Sequence, residues 1–208
     1  MQQLVKLRAA TEFDTDILVL ADSDVRLVRA ITSSTFQLDG RTRFFRSPTG
    51  VTAHMSRHCR WHQVAHDLLQ LEPVGSPPLA DYISPFNVWD RRVVLALKER
   101  VESRRRRSWL DEIGGQLHFS EFMLYGVFVD LILGETAPVA PTSSNLCHCY
   151  WDARPLGPQE ARQFVAGVGD EDVAVMISAK SHTPLAIRRD ALASFAGARV
   201  DPDAGAYA

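Results

Sequence analysis

The pattern of apolar and polar positions along the chain predicts strands interleaved with helices. Continuous apolar runs of strand length at residues 17–21 and 173–177 are typical of strands buried on both faces. Shorter strands are predicted at 79–83 and 146–151. Apolar positions at helical spacing predict helices at 2–10, 54–71, 87–101, 109–113, 121–133, 158–165 and 187–195. This alternation predicts an α/β sandwich, in which helices cover a sheet.

Turn signals divide these elements. Asp39-Gly40 separates residues 36–38 from residues 42–45, and this dipeptide is a good signal for a two-residue hairpin. Loops are predicted at Ser47–Gly50 and Thr136–Ser144, which contain proline. Ser120 is expected to cap the helix that starts at Glu121.

The length and composition describe an ordinary globular protein. The chain has 208 residues, which favours a single domain, here assigned to residues 1–198. Apolar residues make up 46% of the chain and charged residues 23%, as in soluble proteins. We expect the Gly/Ala/Asp-rich segment 199–208 to be a disordered tail.

Charge and hydropathy weaken several classes of function. The formal net charge is −2, whereas a general nucleic-acid binder is usually basic. No apolar run is long enough to cross a bilayer, and residues 1–6 lack the apolar core of a signal peptide. Three cysteines are too few for a disulfide scaffold. These features predict a cytoplasmic protein with no nucleic-acid partner and no transmembrane segment.

An acidic pair follows the first apolar run. Asp22-Ser23-Asp24 stands at the carboxyl end of the predicted strand 17–21, where open α/β sheets bind their ligands. Two carboxylates so close together repel each other unless a cation or hydrogen-bond donors offset their charge. A hard divalent ion such as Mg²⁺ or Mn²⁺ suits oxygen ligands, although a solvated turn explains the triplet equally simply.

Three segments together resemble a known group of proteins. These are Gln2–Leu7, Asp16–Asp24 and Phe119–Gly126. The chain resembles, from Gln2 to about His182, bacterial glycosyltransferase-like proteins of largely uncharacterised function. Those proteins are similar to GT-A-fold glycosyltransferases, in which an Asp-x-Asp motif holds a divalent metal against the diphosphate of a nucleotide sugar.

The resemblance implies a GT-A-like α/β fold, in which helices flank a mixed, Rossmann-like sheet. It also implies a metal-dependent transfer of sugar from a nucleotide-diphosphate donor to a carbohydrate or other hydroxyl acceptor. Asp22 and Asp24 would bind Mn²⁺ or Mg²⁺ and, together with Ser23, the donor. His182, in the loop after the strand 173–177, would complete the metal site. Lys180, in the same loop, could meet a phosphate as a point charge.

Two further carboxylates are candidates for the acceptor side. Glu121 lies at a helix start, near the positive end of the helix dipole, and could act as general base. By resemblance, it would lie near the acceptor sugar. Asp90 could be a second carboxylate in the cleft. Both residues also fit ordinary roles, since Glu121 suits the first turn of a capped helix and Asp90 could cap one.

One feature departs from GT-A enzymes. A much longer segment usually precedes the Asp-x-Asp motif in them and builds the part of the sheet that binds the nucleotide base. Here 21 residues precede Asp22, so we expect the base-binding half to be missing. The true start could lie upstream, the chain could be truncated, or nucleotide binding could have been lost. If the chain begins at Met1, exposed sheet edges favour a homodimer.

The short start also favours an alternative, a non-catalytic carbohydrate-binding or assembly module. A metal-dependent phosphohydrolase or nucleotidyltransferase is a third hypothesis. It needs more acidic ligands near the site, and Asp14 and Asp16 precede the strand instead.

Other chemistry-bearing residues have simpler explanations. His54, His58, His62 and His66 recur every four residues and form a stripe on a helix, as a solvated face often does. Residues 147–149, Cys-His-Cys, have no second pair at zinc-finger spacing, so buried cysteines are the favoured interpretation. The arginines at 104–107 suit the end of a helix.

Overall fold

The computed structural model describes residues 2–104 and 107–198. The predicted tail 199–208 and the centre of the arginine run, Arg105 and Arg106, lie outside the described residues.

The described residues form a mixed α/β structure, which confirms the predicted class. Its helices are Gln2–Glu12 (α1), Ser56–Leu69 (α2), Arg91–Arg104 (α3), Trp109–Gly114 (α4), Glu121–Phe128 (α5), Pro158–Ala166 (α6) and Leu185–Ala198 (α7). Its strands are Ile17–Ala21 (β1), Val25–Leu27 (β2), Gln37–Leu38 (β3), Arg41–Phe45 (β4), Ser47–Val51 (β5), Leu79–Asp81 (β6), Phe86–Asp90 (β7), Val139–Thr142 (β8), Cys147–Tyr150 (β9) and Ala174–Ile177 (β10).

The described strands make several small sheets where we predicted one larger sheet. Their orders are β1-β7, β2-β10-β9, β3-β4-β8 and β5-β6. Strand directions are mixed, since β9 runs parallel to β10 and β8 parallel to β4, whereas β2 is antiparallel to β10. No helix in the described part of the chain is both long and apolar enough to cross a membrane.

The chain divides into two compact units. The first comprises the residues up to Leu20 together with Ser33–Ser143. The second comprises Ala21–Thr32 and the residues from Ser144 onward. Whether the two units behave as the single domain predicted for residues 1–198 stays a prediction.

The first unit is built around α5. All eight residues of this helix are buried. Trp89 on β7 stacks on Tyr125 of α5 with ring centres 5.2 Å apart, and Phe44 on β4 stacks on Tyr82 at 5.6 Å. Helices α1, α2 and α3 also contact α5. The core of this unit is therefore a helix enclosed by neighbouring helices and by aromatic side chains.

The second unit is a small sheet with two helices. Strand β10 lies between β2 and β9, and all four of its residues are buried. Helices α6 and α7 pack on each other, and their apolar residues form one cluster with Val175 and Ile177 of β10.

Several local predictions are confirmed. Asp39 and Gly40 have φ of 50° and 73°, the left-handed values that a two-residue hairpin of type I′ requires between β3 and β4. The Ser120 hydroxyl accepts a hydrogen bond from the Met123 amide at 3.4 Å and so caps α5.

Other local predictions are wrong. Residues 47–51 are strand β5 because they pair with β6, and the predicted loop at 136–144 contains β8, which pairs with β4. Residues 87–90 belong to strand β7, and α3 begins only at Arg91. Strand β1 is not buried on both faces, since Val19 is 38% exposed.

Gly126 is the position in α5 where the packing leaves no room for a side chain. A Cβ atom there would lie 2.1 Å from Cγ of the Tyr82 ring. We expect Gly126→Ala to lower the free energy of unfolding by about 2 kcal/mol, because relief of the clash must displace a buried ring. Chemical denaturation measures this change.

Gly115→Ala is the matched control. Gly115 caps the C-terminal end of α4 with φ of −72°. A Cβ atom added there would have as its nearest contact the Asp111 carbonyl oxygen, at 3.4 Å. This change should alter stability by less than about 1 kcal/mol. If Gly126→Ala were as stable as the control, the close packing of Tyr82 on α5 would be contradicted.

Candidate functional site

The Asp22-Ser23-Asp24 triplet directly follows β1, as predicted. Asp22 and Asp24 are half-buried and Ser23 is exposed. The Asp22 carbonyl accepts a hydrogen bond from the Val25 amide at 3.1 Å, which forms a tight turn before β2. The Asp24 carboxylate accepts a hydrogen bond from the Ala179 amide, with 2.8 Å between the atoms. The acidic turn is thereby attached to the segment after β10.

That segment carries the other two predicted ligands. Ala179–Ser181 is a short 3₁₀ turn, and the Ser178 hydroxyl accepts from the Lys180 amide at 3.3 Å. His182 ends the turn in the left-handed conformation, with φ of 54°. Lys180 and His182 are exposed. The structure thus brings the backbone of this turn to Asp24.

The donor set of this turn fits a hard cation only in part. In the described part of the chain, no group of three or more His, Cys, Asp and Glu residues is arranged to hold a metal ion. Asp22, Asp24 and His182 therefore do not form such a group. Mg²⁺ is nevertheless often bound by one or two carboxylates together with water and substrate phosphates, so the two aspartates remain a chemically suitable pair.

Glu121 is enclosed at the start of α5. Its Oε1 lies 3.0 Å from Nζ of Lys6 on α1, and the two side chains are 4% and 15% exposed. The Lys6 ammonium also lies 4.5 Å from the centre of the Phe122 ring. A buried carboxylate needs such a partner, since an unpaired charge in the core is strongly destabilising. The sequence predicted the helix start but gave no sign of Lys6.

Asp90 is the last residue of β7 and is buried. Its Oδ2 accepts from the Thr42 hydroxyl at 3.0 Å, and its Oδ1 accepts from the Arg92 amide at 2.9 Å. The Arg92 guanidinium donates to both oxygens, at 3.0 and 2.7 Å. The Asp90 amide donates to the Tyr125 hydroxyl at 3.1 Å. Asp90 therefore lies against α5, but its carboxylate already has several donors.

A polar network that the sequence did not predict lies in the first unit. The Tyr82 hydroxyl and the Arg46 guanidinium both donate to Asp130 Oδ2, at 2.8 and 2.6 Å. Burial raises the pKa of the Tyr82 phenol, and burial likewise raises that of Tyr125. Both phenols therefore stay neutral at ordinary pH.

The four histidines of the predicted stripe have different surroundings. His62 is buried with Nε2 2.7 Å from the Ala80 carbonyl oxygen, and burial lowers its pKa. His66 Nδ1 lies 2.7 Å from the Glu72 carbonyl oxygen. The His58 ring packs on Trp61 with centres 4.8 Å apart, and burial also lowers the pKa of His58. These contacts account for three of the four rings by packing and backbone hydrogen bonds.

The Cys-His-Cys segment lies in β9. Cys147 is buried and Cys149 half-buried, and both thiols are free. The Cys149 thiol donates to the Cys147 carbonyl at 3.1 Å. The His148 ring stacks on Phe164 of α6 with centres 4.3 Å apart. These contacts are those of a packed strand. They confirm the interpretation of Cys147 as a buried residue, whereas Cys149 is only half-buried.

An open cavity of about 390 Å³ lies beside the segment that leads into α5. Trp61, Arg57 and Gln3 are among its lining residues, with Gln116 and His118 from the segment after α4. Glu121 is not among the residues that line it. An aromatic ring with amide and guanidinium groups around it suits a hydroxyl-rich ligand. These residues are far apart in sequence, so no motif marked them.

Comparison with known proteins assigns the chain to a family but not to an activity. No curated protein matches the sequence significantly. A family model described as a family of unknown function, DUF6492, matches residues 1–161 of the 208. The match covers β1, the acidic turn and both candidate carboxylates of the first unit. The chain therefore belongs to the family of unknown function DUF6492.

Proposed function

We propose that the chain is a metal-dependent, GT-A-like glycosyltransferase of the cytoplasm that uses a nucleotide-diphosphate sugar as donor and a hydroxyl group as acceptor. The observation that carries the proposal is the hydrogen bond from the Ala179 amide to the Asp24 carboxylate. It joins the acidic turn after β1 to the turn that contains Lys180 and precedes His182. The acidic turn is thus attached to the backbone of the turn that carries an ammonium and leads to an imidazole, within the second unit.

Asp22 and Asp24 would hold Mn²⁺ or Mg²⁺ through carboxylate oxygens. The bound cation would neutralise negative charge on a diphosphate leaving group. Lys180 is exposed on a short turn and is free to meet a phosphate oxygen as a point charge. Ser23 adds an exposed hydroxyl between the two carboxylates.

Glu121 is the proposed general base. In this role its carboxylate takes the proton of the acceptor hydroxyl while the oxygen attacks the sugar carbon and the nucleoside diphosphate leaves. The Lys6 ammonium fixes the position of the carboxylate at 3.0 Å. Asp90 is a weaker candidate for the base because donors from Thr42 and Arg92 surround both of its oxygens.

The first prediction concerns nucleotide binding. UDP or GDP titrated calorimetrically should bind in the presence of Mn²⁺ and much more weakly without it. The double variant Asp22→Asn/Asp24→Asn should weaken this binding at least about tenfold, equivalent to about 1.4 kcal/mol, because the cation loses its charged ligands. Asparagine at residue 24 keeps an oxygen for the Ala179 amide, so the turn itself should persist.

Glu171→Gln is the matched control, because Glu171 is an exposed carboxylate of the same unit. It should bind UDP or GDP as the unmodified protein does. Equal binding with and without Mn²⁺, or full binding by the double variant, would contradict the metal-dependent site.

The next prediction separates a catalytic from a structural role of Glu121. Glu121→Gln should lower the rate of sugar transfer by about 10²- to 10⁴-fold, as expected for loss of a general base, without weakening nucleotide binding. Lys6→Gln breaks the same ion pair but keeps the carboxylate. It should therefore retain much more transfer activity.

Both variants should be compared for unfolding free energy and assayed under conditions where both remain folded. Each loses the buried ion pair, so each should be destabilised. If transfer activity falls equally in the two variants, the ion pair serves the fold and Glu121 is not the base.

A non-catalytic carbohydrate-binding module is the second candidate function. Two observations favour it. Both candidate catalytic carboxylates are buried and already paired, Glu121 with Lys6 and Asp90 with Arg92. The open cavity meanwhile has Trp61 and several hydrogen-bond donors in its lining, without either carboxylate.

This candidate predicts binding without turnover. Calorimetry with a panel of oligosaccharides should find a ligand whose affinity falls at least about tenfold in Trp61→Ala, since stacking on a ring is lost. Trp151→Ala is the control, because Trp151 is 57% exposed and belongs to the other unit. Hydrolysis or transfer of a nucleotide sugar by the same preparation would rule out a purely binding role.

A further inference from the structure

The second unit contains a cavity of about 520 Å³ that is lined by residues other than those of the acidic turn. Its volume falls within the range of small-molecule sites, about 300–1,000 Å³. Strand β2 and the residues after it form one wall, and α7 forms the other. The lining residues are Arg26, Leu27, Val28, Arg29, Ala30, Arg189, Leu192, Ala193 and Phe195.

Three of these residues are arginines and none is acidic. The whole chain has a formal net charge of −2, so this concentration of positive charge is local. Within the described part of the chain, the ion pairs involve other residues and leave Arg26, Arg29 and Arg189 without a carboxylate partner. Guanidinium groups stay charged at all ordinary pH values, so the positive charge of this lining favours an anion at any of them.

Arg29 is held in place before any ligand arrives. Its amide and that of Val28 both donate to the Val173 carbonyl, at 3.4 and 2.9 Å. Its Nη1 donates to the carbonyl oxygens of Gly169, at 2.6 Å, and of Asp172. Its Nη2 is buried and has no hydrogen-bond partner among the described residues. A buried donor without an acceptor is unfavourable, so an acceptor oxygen that reached this group from the cavity would stabilise the complex.

The rest of the cavity is apolar. Leu27, on the edge strand β2, is 47% exposed, which is high for a leucine in a strand. Leu192 and Phe195 lie three residues apart on α7, so they occupy the same face of that helix. A ligand that is only an inorganic anion would leave this wall unused.

We propose that this cavity binds a phosphate or diphosphate group joined to an apolar group. The arginines contact the phosphate oxygens, for which the guanidinium geometry is well suited, and the apolar group packs against Leu27, Leu192 and Phe195. Such a ligand could be a soluble phosphorylated compound or the headgroup region of a phospholipid. This site is separate from the acidic turn and does not depend on the proposed function.

Geranyl diphosphate is a suitable probe because it carries both parts. Calorimetry on the full chain should show that it binds at least about tenfold more tightly than inorganic pyrophosphate. Arg26→Gln/Arg189→Gln should weaken the binding of geranyl diphosphate at least about tenfold. Both arginines are exposed, so their replacement should leave the fold intact, whereas Arg29 is needed by its backbone partners and is not changed.

Two further variants test the parts of the site. Leu27→Ser should reduce the affinity for geranyl diphosphate towards that for pyrophosphate and leave pyrophosphate binding unchanged. Arg162→Gln is the control, an exposed arginine on α6 in the same unit that does not line the cavity, and it should bind both probes normally.

Co-sedimentation with phosphatidylcholine vesicles, with and without phosphatidic acid, distinguishes the two sources. When geranyl diphosphate binds, additional vesicle binding that requires phosphatidic acid and the two arginines identifies a lipid headgroup, and the absence of vesicle binding identifies a soluble ligand. Either result supports the site. Failure of geranyl diphosphate to bind, equal affinity for both diphosphates, or full binding by Arg26→Gln/Arg189→Gln would overturn it. The Asp22→Asn/Asp24→Asn variant should bind geranyl diphosphate normally, which keeps this test independent of the nucleotide site.

Discussion

The constraint that shapes the first unit is the complete burial of α5, which has no residue at the surface. Every polar group in a helix so placed must find a partner inside the protein. Glu121 therefore needs the Lys6 ammonium, and the Tyr125 hydroxyl needs the Asp90 amide. These contacts fix α1 and the end of β7 against the helix. Any function assigned to Glu121 or Asp90 must be compatible with this structural requirement.

The burial of α5 also explains why the carboxylate at its start fits both a catalytic and a structural role. A carboxylate at the start of a buried helix is stabilised by the helix end and by a paired cation, whether or not it ever takes a proton. The Lys6–Glu121 pair holds the carboxylate in one position, which is useful to a base. It also occupies one carboxylate oxygen, which hinders a base. Burial alone does not decide between the two roles, so the comparison must remove the cation and the carboxylate separately.

Much of the local structure was predictable from sequence because its causes are local. The Asp39-Gly40 hairpin and the Ser120 cap depend on residues within a few positions of each other. Strand β5 was not predictable, since Pro48 and Gly50 are poor strand formers. This strand exists because β6 pairs with it. The pairing is close enough that a Cβ atom added at Gly50 would lie 2.7 Å from the Asp81 Cβ.

The candidate sites likewise combine features set by neighbouring residues with contacts to distant ones. A strand followed by two aspartates is a local signal, and its position at the end of β1 was predicted. The partners of these residues come from distant sequence: Ala179 for Asp24, and Lys6 for Glu121. The arginine cavity joins β2 to α7 across most of the chain, and no spacing rule could connect those segments.

The stretch from Asp22 to Arg29 places carboxylates and guanidinium groups within eight residues, yet the fold does not pair Asp24 with Arg29. Asp24 instead accepts from the Ala179 amide, and Arg29 donates to the Gly169 carbonyl. Backbone groups therefore orient both side chains, and neither charge neutralises the other. If the two side chains formed an ion pair, their charges would offset each other and the segment would attract external ions only weakly. In the two proposals, the Asp24 carboxylate before β2 serves a cation and the Arg29 guanidinium after β2 serves an anion. This separation along the chain is the physical basis for treating them as distinct sites.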